Sequence, residues 1–79
     1  MILSVTLIRD TLQVLTELID SDKDLFYKMY RNIPYEIYQE IEKLSVSKSE
    51  VYRDLCISAK KITTEFHNSP KFITYNLNN

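Results

Sequence analysis

From Leu3 to Asp20 the apolar residues recur at helical period, and Val5, Ile8, Leu12, Leu15 and Ile19 are spaced alternately by three and four. Leu7, Val14 and Leu18 widen that stripe, while Arg9, Gln13, Thr16 and Glu17 lie opposite it. The pattern predicts one amphipathic helix over 3–20, with a two-heptad packing seam and an apolar face broad enough for two neighbours. A second helix is predicted over 22–33, capped by Ser21 with Asp24 three residues on, and with Leu25, Phe26, Met29, Tyr30 and Ile33 on one face. Lys28, Arg31 and Asn32 take its other side. Pro34 cannot continue that helix but suits the first turn of a new one, so a third helix is expected over 34–44 with Ile37, Ile41 and Leu44 inward.

Ser47 and Glu50 have the spacing of a capping box, which predicts a fourth helix over 47–67 with Val51, Leu55, Ala59, Ile62 and Phe66 inward. Ser69 and Pro70 end it. In residues 70–79, Phe72, Thr74 and Asn76 alternate with Ile73, Tyr75 and Leu77, a pattern open to a short strand or a partly ordered tail. The fold class expected is therefore all-α: a single small domain of about four helices with a short C-terminal tail.

Composition changes this picture in two places. The chain of 79 residues contains no glycine, so helices lose their preferred C-terminal stop and few tight turns are expected. So short a chain also buries only a modest share of its surface when it folds alone, and the seam of the first helix offers more apolar surface than so small a core needs. Self-association, as a two-fold dimer, is the expectation that follows. The single cysteine, Cys56, has no internal partner for a disulfide and points to a reducing compartment, with the cytoplasm as the default. The apolar start MILSVTLI is interrupted by Arg9 and Asp10, too soon for a membrane span, and lacks the basic region of a secretion signal. No membrane partner is expected.

The formal net charge is -1, which gives no global attraction to nucleic acid. The halves differ, however: residues 1–44 hold five cations against eight acids, whereas residues 45–79 hold five cations against three acids. The basic bias lies in the half that contains the stretch SVSKSEVYRDL.

Candidate chemistry is sparse. Cys56 and His67 stand eleven residues apart on one predicted helix, too far to act as nucleophile and base, and read better as a packed residue and a helix-end cation. Together they are too few for zinc. Asp20, Asp22 and Asp24 open like a calcium loop, but Leu25 stands where glycine must turn the chain and Arg31 where a glutamate must grip the metal. Glu36 and Glu40 share a helical face and read as a solvated one. No catalytic residue, metal ligand or cofactor site is expected. Of six tyrosines, Tyr35, Tyr38 and Tyr52 fall off the main stripes and are candidates for a partner surface.

The stretch YQEIEKLSVSKSEVYRDL, Tyr38 to Leu55, resembles the helix-turn-helix of bacterial and phage regulators. Leu44, Val46 and Val51 stand at that motif's apolar anchor points, and Ser45 at its usual turn glycine. The resemblance implies a transcriptional regulator that binds duplex DNA through Ser47, Lys48, Ser49, Tyr52 and Arg53. In that reading the serines and Lys48 hold phosphate, and Tyr52 and Arg53 reach base edges. A second resemblance, carried by IPYEIYQEIEKL and VSKSEV, is to ribbon-helix-helix repressors, in which Lys28, Tyr30 and Asn32 of a strand would face the bases. The competing reading is a helical interaction module, a small inhibitor or adaptor that binds a protein partner through its apolar and tyrosine-bearing helix surfaces.

Overall fold

A computed structural model describes residues 4–68 as four helices: α1 (Val5–Ser21), α2 (Lys23–Asn32), α3 (Tyr35–Val46) and α4 (Arg53–His67). There is no strand among the described residues, so the segment that the ribbon-helix-helix resemblance needs as a strand is helical. Leu3 and the 70–79 tail lie outside the described residues. No described helix is long and apolar enough to cross a membrane.

The helices start and stop through short polar side chains. Ser4 caps α1, its Oγ accepting from the amides of Thr6 at 3.1 Å and Leu7 at 3.4 Å. Asp22 alone separates α1 from α2 and serves both. Its own amide donates to the Leu18 carbonyl at 2.8 Å, and its Oδ1 accepts from the Leu25 amide at 3.2 Å. Asp22, not Ser21, is thus the cap of α2. The Ser21 hydroxyl donates back to the Glu17 carbonyl at 2.9 Å and keeps that residue inside α1. Replacing Asp22 by alanine removes only the side-chain half of this bend, and should cost about 1 kcal/mol in chemical denaturation without loss of helix content. A loss of several kcal/mol would show that the bend depends on more than the cap.

Pro34 precedes α3, its carbonyl accepting from the amides of Ile37 and Tyr38, both at 3.0 Å. The helix runs two residues past the expected Leu44, to Val46. No described residue has a positive φ. The bends are made instead at negative φ, by Asp22 (φ -157, ψ 87), Ile33 (φ -69, ψ 153) and Ser47 (φ -79, ψ 152), the last two in extended backbone. A chain without glycine turns its corners in the region any L-residue can occupy.

α4 lies against α1 and α3, and α2 packs on α1. The seam of α1 is spent inside this bundle: Ile8, Leu12, Leu15 and Ile19 are all buried, while Val5 at its end is 42% exposed. Leu7 and Val14, which widen the stripe, remain 45% and 43% exposed. Ile37 and Ile41 of α3 and Leu55, Ala59, Ile62 and Phe66 of α4 complete the core. In α2 the inward face is Phe26, Tyr27 and Tyr30, whereas Leu25 and Met29, expected inward, are more than a third exposed. A ten-residue helix that meets the core edge-on needs only three anchors, and aromatic rings fill the space. The ring of Phe66 stands at the centre, 4.8 Å from Tyr30 and 6.2 Å from Tyr27 by ring centroids, with Phe26 at 6.5 Å.

Candidate nucleic-acid interface

The expected capping box does not form. Six residues, Ser47 to Tyr52, link α3 to α4, and α4 begins at Arg53 rather than Ser47. The cause is local: Ser47 Oγ accepts from the Ser49 amide at 3.2 Å and Ser49 Oγ accepts from the Tyr52 amide at 3.2 Å. Two successive serines thus offer the backbone a non-helical alternative to the first turn. The link is twice the three-residue turn of the helix-turn-helix motif. Val46 and Val51, expected at its apolar anchor points, are 81% and 83% exposed, while Leu44 is packed against the core. Ser45, expected at the motif's turn position, instead lies inside α3, its hydroxyl donating to the Glu42 carbonyl at 2.6 Å.

Of the five residues expected to meet DNA, four come together. Ser47, Lys48, Ser49 and Arg53 line one open groove along the link and the start of α4. Tyr52 does not line that groove; it lines a separate one with Val5, Ile8 and Leu44. The open groove gains a cation that the sequence reading passed over, Lys60, together with the exposed Ile57. Lys60 lies seven residues beyond Arg53, two turns on the same helix face, and that spacing was its signal.

Comparison with protein-family models, curated proteins and solved structures finds no match. The groove must speak for itself. Its cations Lys48, Arg53 and Lys60 form no ion pair with a carboxylate among the described residues, and Glu50 is the one acid lining it. Other lysines are engaged: Lys23 meets Glu65 at 2.8 Å, Lys61 meets Asp20 at 3.8 Å, and Lys43 meets Glu40 at 3.4 Å. The first turn of α4 receives no hydrogen bond from a capping side chain. Its free amides and the helix dipole therefore add positive potential at the mouth of the groove.

Elsewhere the polar groups are structural. The Tyr30 hydroxyl donates to Glu42 Oε1 at 3.4 Å, and His67 Nε2 lies 3.2 Å from the same oxygen, so one carboxylate ties α2 and α4 to α3. Burial, then the Glu42 charge, raises the pKa of the Tyr30 phenol far above its ordinary value, and the same two causes raise that of Tyr38. Cys56 is buried at the first turn of α4 and His67 closes its last, about 16 Å away at helical rise. Among the described residues no three histidine, cysteine or carboxylate side chains gather as a metal site would require.

Proposed function

We propose that this chain is a small DNA-binding protein, a transcriptional regulator that holds the phosphate backbone in the groove between the α3–α4 link and the outer face of α4. One observation carries the reading: Lys48, Arg53 and Lys60 converge on one open surface with no carboxylate partner among the described residues. Cations that the fold leaves uncompensated are what a polyanion recruits. The hydroxyls of Ser47 and Ser49, which accept from amides of the link and keep their own protons to donate, line the same groove as phosphate donors. Arg53, Ile57, Lys60 and Thr64 form one exposed stripe along α4. A helix of about 10 to 12 Å diameter with such a stripe fits the major groove, which is about 12 Å wide. In this reading the recognition surface is the flank of α4, one turn later than the helix-turn-helix resemblance places it. Tyr52 takes no part. The single cysteine, kept buried and unpaired, agrees with work in the cytoplasm.

A salt titration of binding to random duplex DNA tests this. Wild-type protein should lose affinity linearly on a logarithmic salt scale, and each of Lys48→Ala, Arg53→Ala and Lys60→Ala should lower the slope by about one unit. All three residues are exposed, so folding should be untouched. No salt-sensitive binding at low ionic strength would end the DNA reading.

The interaction-module reading keeps one specific support. Val46, Val51 and Tyr35 are exposed by 81%, 83% and 67%, more than isolated surface apolar residues need be. Tyr35 is stacked at 6.4 Å on Tyr38, which holds its ring in place outside the core.

A further inference from the structure

Among the described residues of α4, Ile57 alone is both apolar and exposed. It is 60% exposed and stands on the opposite side of the helix from Leu55, Ala59, Ile62 and Phe66, which face the core. Folding therefore gives this side chain little to bury against. Its neighbours are charged: Arg53 precedes it by four residues and Lys60 follows it by three, so the three share one helix face and one groove. The one acid lining that groove, Glu50, belongs to the α3–α4 link. Asp54 lines the adjoining surface, with Arg9, rather than this groove. Val46, at the end of α3, is a second exposed apolar side chain on the groove wall.

We propose that Ile57 is a specificity-determining residue for DNA: it packs on the C5-methyl group of a thymine in the major groove, so the preferred sites carry thymine beneath the middle of α4. The inference rests on the DNA reading of the same groove. Phosphates held by the cations on either side of Ile57 bring the side chain between them down on base edges. In the major groove every base pair shows hydrogen-bond donors or acceptors, and an isoleucine can satisfy none of them. Against guanine, cytosine or adenine it strips water from those groups and returns nothing. Of the four bases thymine alone also presents a methyl group there, whose burial against Ile57 removes apolar surface of both partners from water. Exposed apolar and basic side chains together also suit an anionic lipid surface. A helix that lies in a membrane interface buries a whole apolar face, however, and α4 turns its apolar face to the core.

Selection of duplexes from a random pool by the full chain tests the proposal, first with the parent and then with Ile57→Ala. The parent should enrich thymine at one position or more. The variant should lose that preference yet bind with the same salt dependence, since no charge is changed. Ile57 is exposed, so the variant should keep its fold. Uracil in place of the enriched thymine removes the methyl group alone. It should weaken the parent about fourfold, the factor that one buried methyl group is worth, and leave Ile57→Ala unaffected. Enrichment without a thymine that depends on Ile57, or equal affinity of the parent for the thymine and uracil duplexes, overturns the inference, while salt-sensitive binding that persists in those experiments leaves the DNA reading standing. Absence of any salt-sensitive binding overturns both. Phosphatidylglycerol vesicles that retain the parent but not Ile57→Ala, with no difference between the two on DNA, overturn it in favour of a lipid surface.

Discussion

Replacing Phe66 by alanine should remove a large part of this protein's stability. The ring is 6% exposed and is the meeting point of Phe26, Tyr27 and Tyr30 from α2, so its removal empties the place where α2 and α4 meet. Truncations of this kind cost about 3 to 5 kcal/mol, through lost transfer free energy and the cavity left behind. A domain of this length is stable by only about 4 to 12 kcal/mol, so the loss is a large part of the whole. The melting temperature should fall by roughly 12 °C or more. Ile57→Ala makes the control: it removes an aliphatic side chain of the same helix that is 60% exposed, and should shift stability by no more than about 0.5 kcal/mol. Thermal melts of the two variants decide the matter. If Phe66→Ala melts within about 5 °C of the parent, the aromatic junction is not what holds α2 in place.

The second large effect is alkaline unfolding. The phenol of Tyr30 is 2% exposed as a residue, and its pKa is raised by burial first and then by the adjacent Glu42 carboxylate. In the unfolded chain it titrates near its ordinary value of 10.0. A group whose folded pKa is raised contributes its full stability below the unfolded pKa, and loses that stability as pH climbs from there toward the folded pKa. Each pH unit above 10 should therefore remove up to about 1.4 kcal/mol through Tyr30, with Tyr38 adding in the same direction. Tyr30→Phe cannot ionise, so its alkaline midpoint should lie above that of the parent, even though the lost hydrogen bond to Glu42 costs about 1 kcal/mol at neutral pH. Circular dichroism followed from pH 8 to 12 measures both. Equal alkaline midpoints for parent and variant would mean that Tyr30 ionises freely in the folded protein.

How much of this could be read from the sequence depended on the range of the forces involved. The α1 stripe was plain because Ile8, Leu12, Leu15 and Ile19 repeat over two heptads, long enough for the period to show. Pro34 marked the α2–α3 break by its missing amide. The α2 face was misjudged because ten residues hold fewer than three turns, so Leu25 and Met29 fitted a stripe nearly as well as Tyr27 did. The start of α4 was misplaced by a competition between two uses of a serine hydroxyl. Ser47 and Ser49 cap helices in one geometry and bind their own link in another, and only the three-dimensional path of the link selects between them. Val51 followed that error outward. Four of the five candidate residues share one groove because they are neighbours in sequence, and Lys60, which lines it too, was passed over although its spacing from Arg53 was in view. The Glu42 junction was not legible at all, since its partners Tyr30 and His67 come from two other helices.

The bends made without a left-handed residue have a consequence for the chain before it folds. Glycine samples more of backbone space than any other residue, and alanine in its place, where the native φ allows, stabilises a protein by about 0.4 to 1 kcal/mol by shrinking the unfolded ensemble. This chain has no glycine and no described residue whose φ would require one, so its corners are built from residues that were already restricted when unfolded. Less disorder is given up when Asp22, Ile33 or Ser47 takes its native angles than a glycine would give up there. A bundle with so small a core draws part of its stability from the stiffness of its unfolded state.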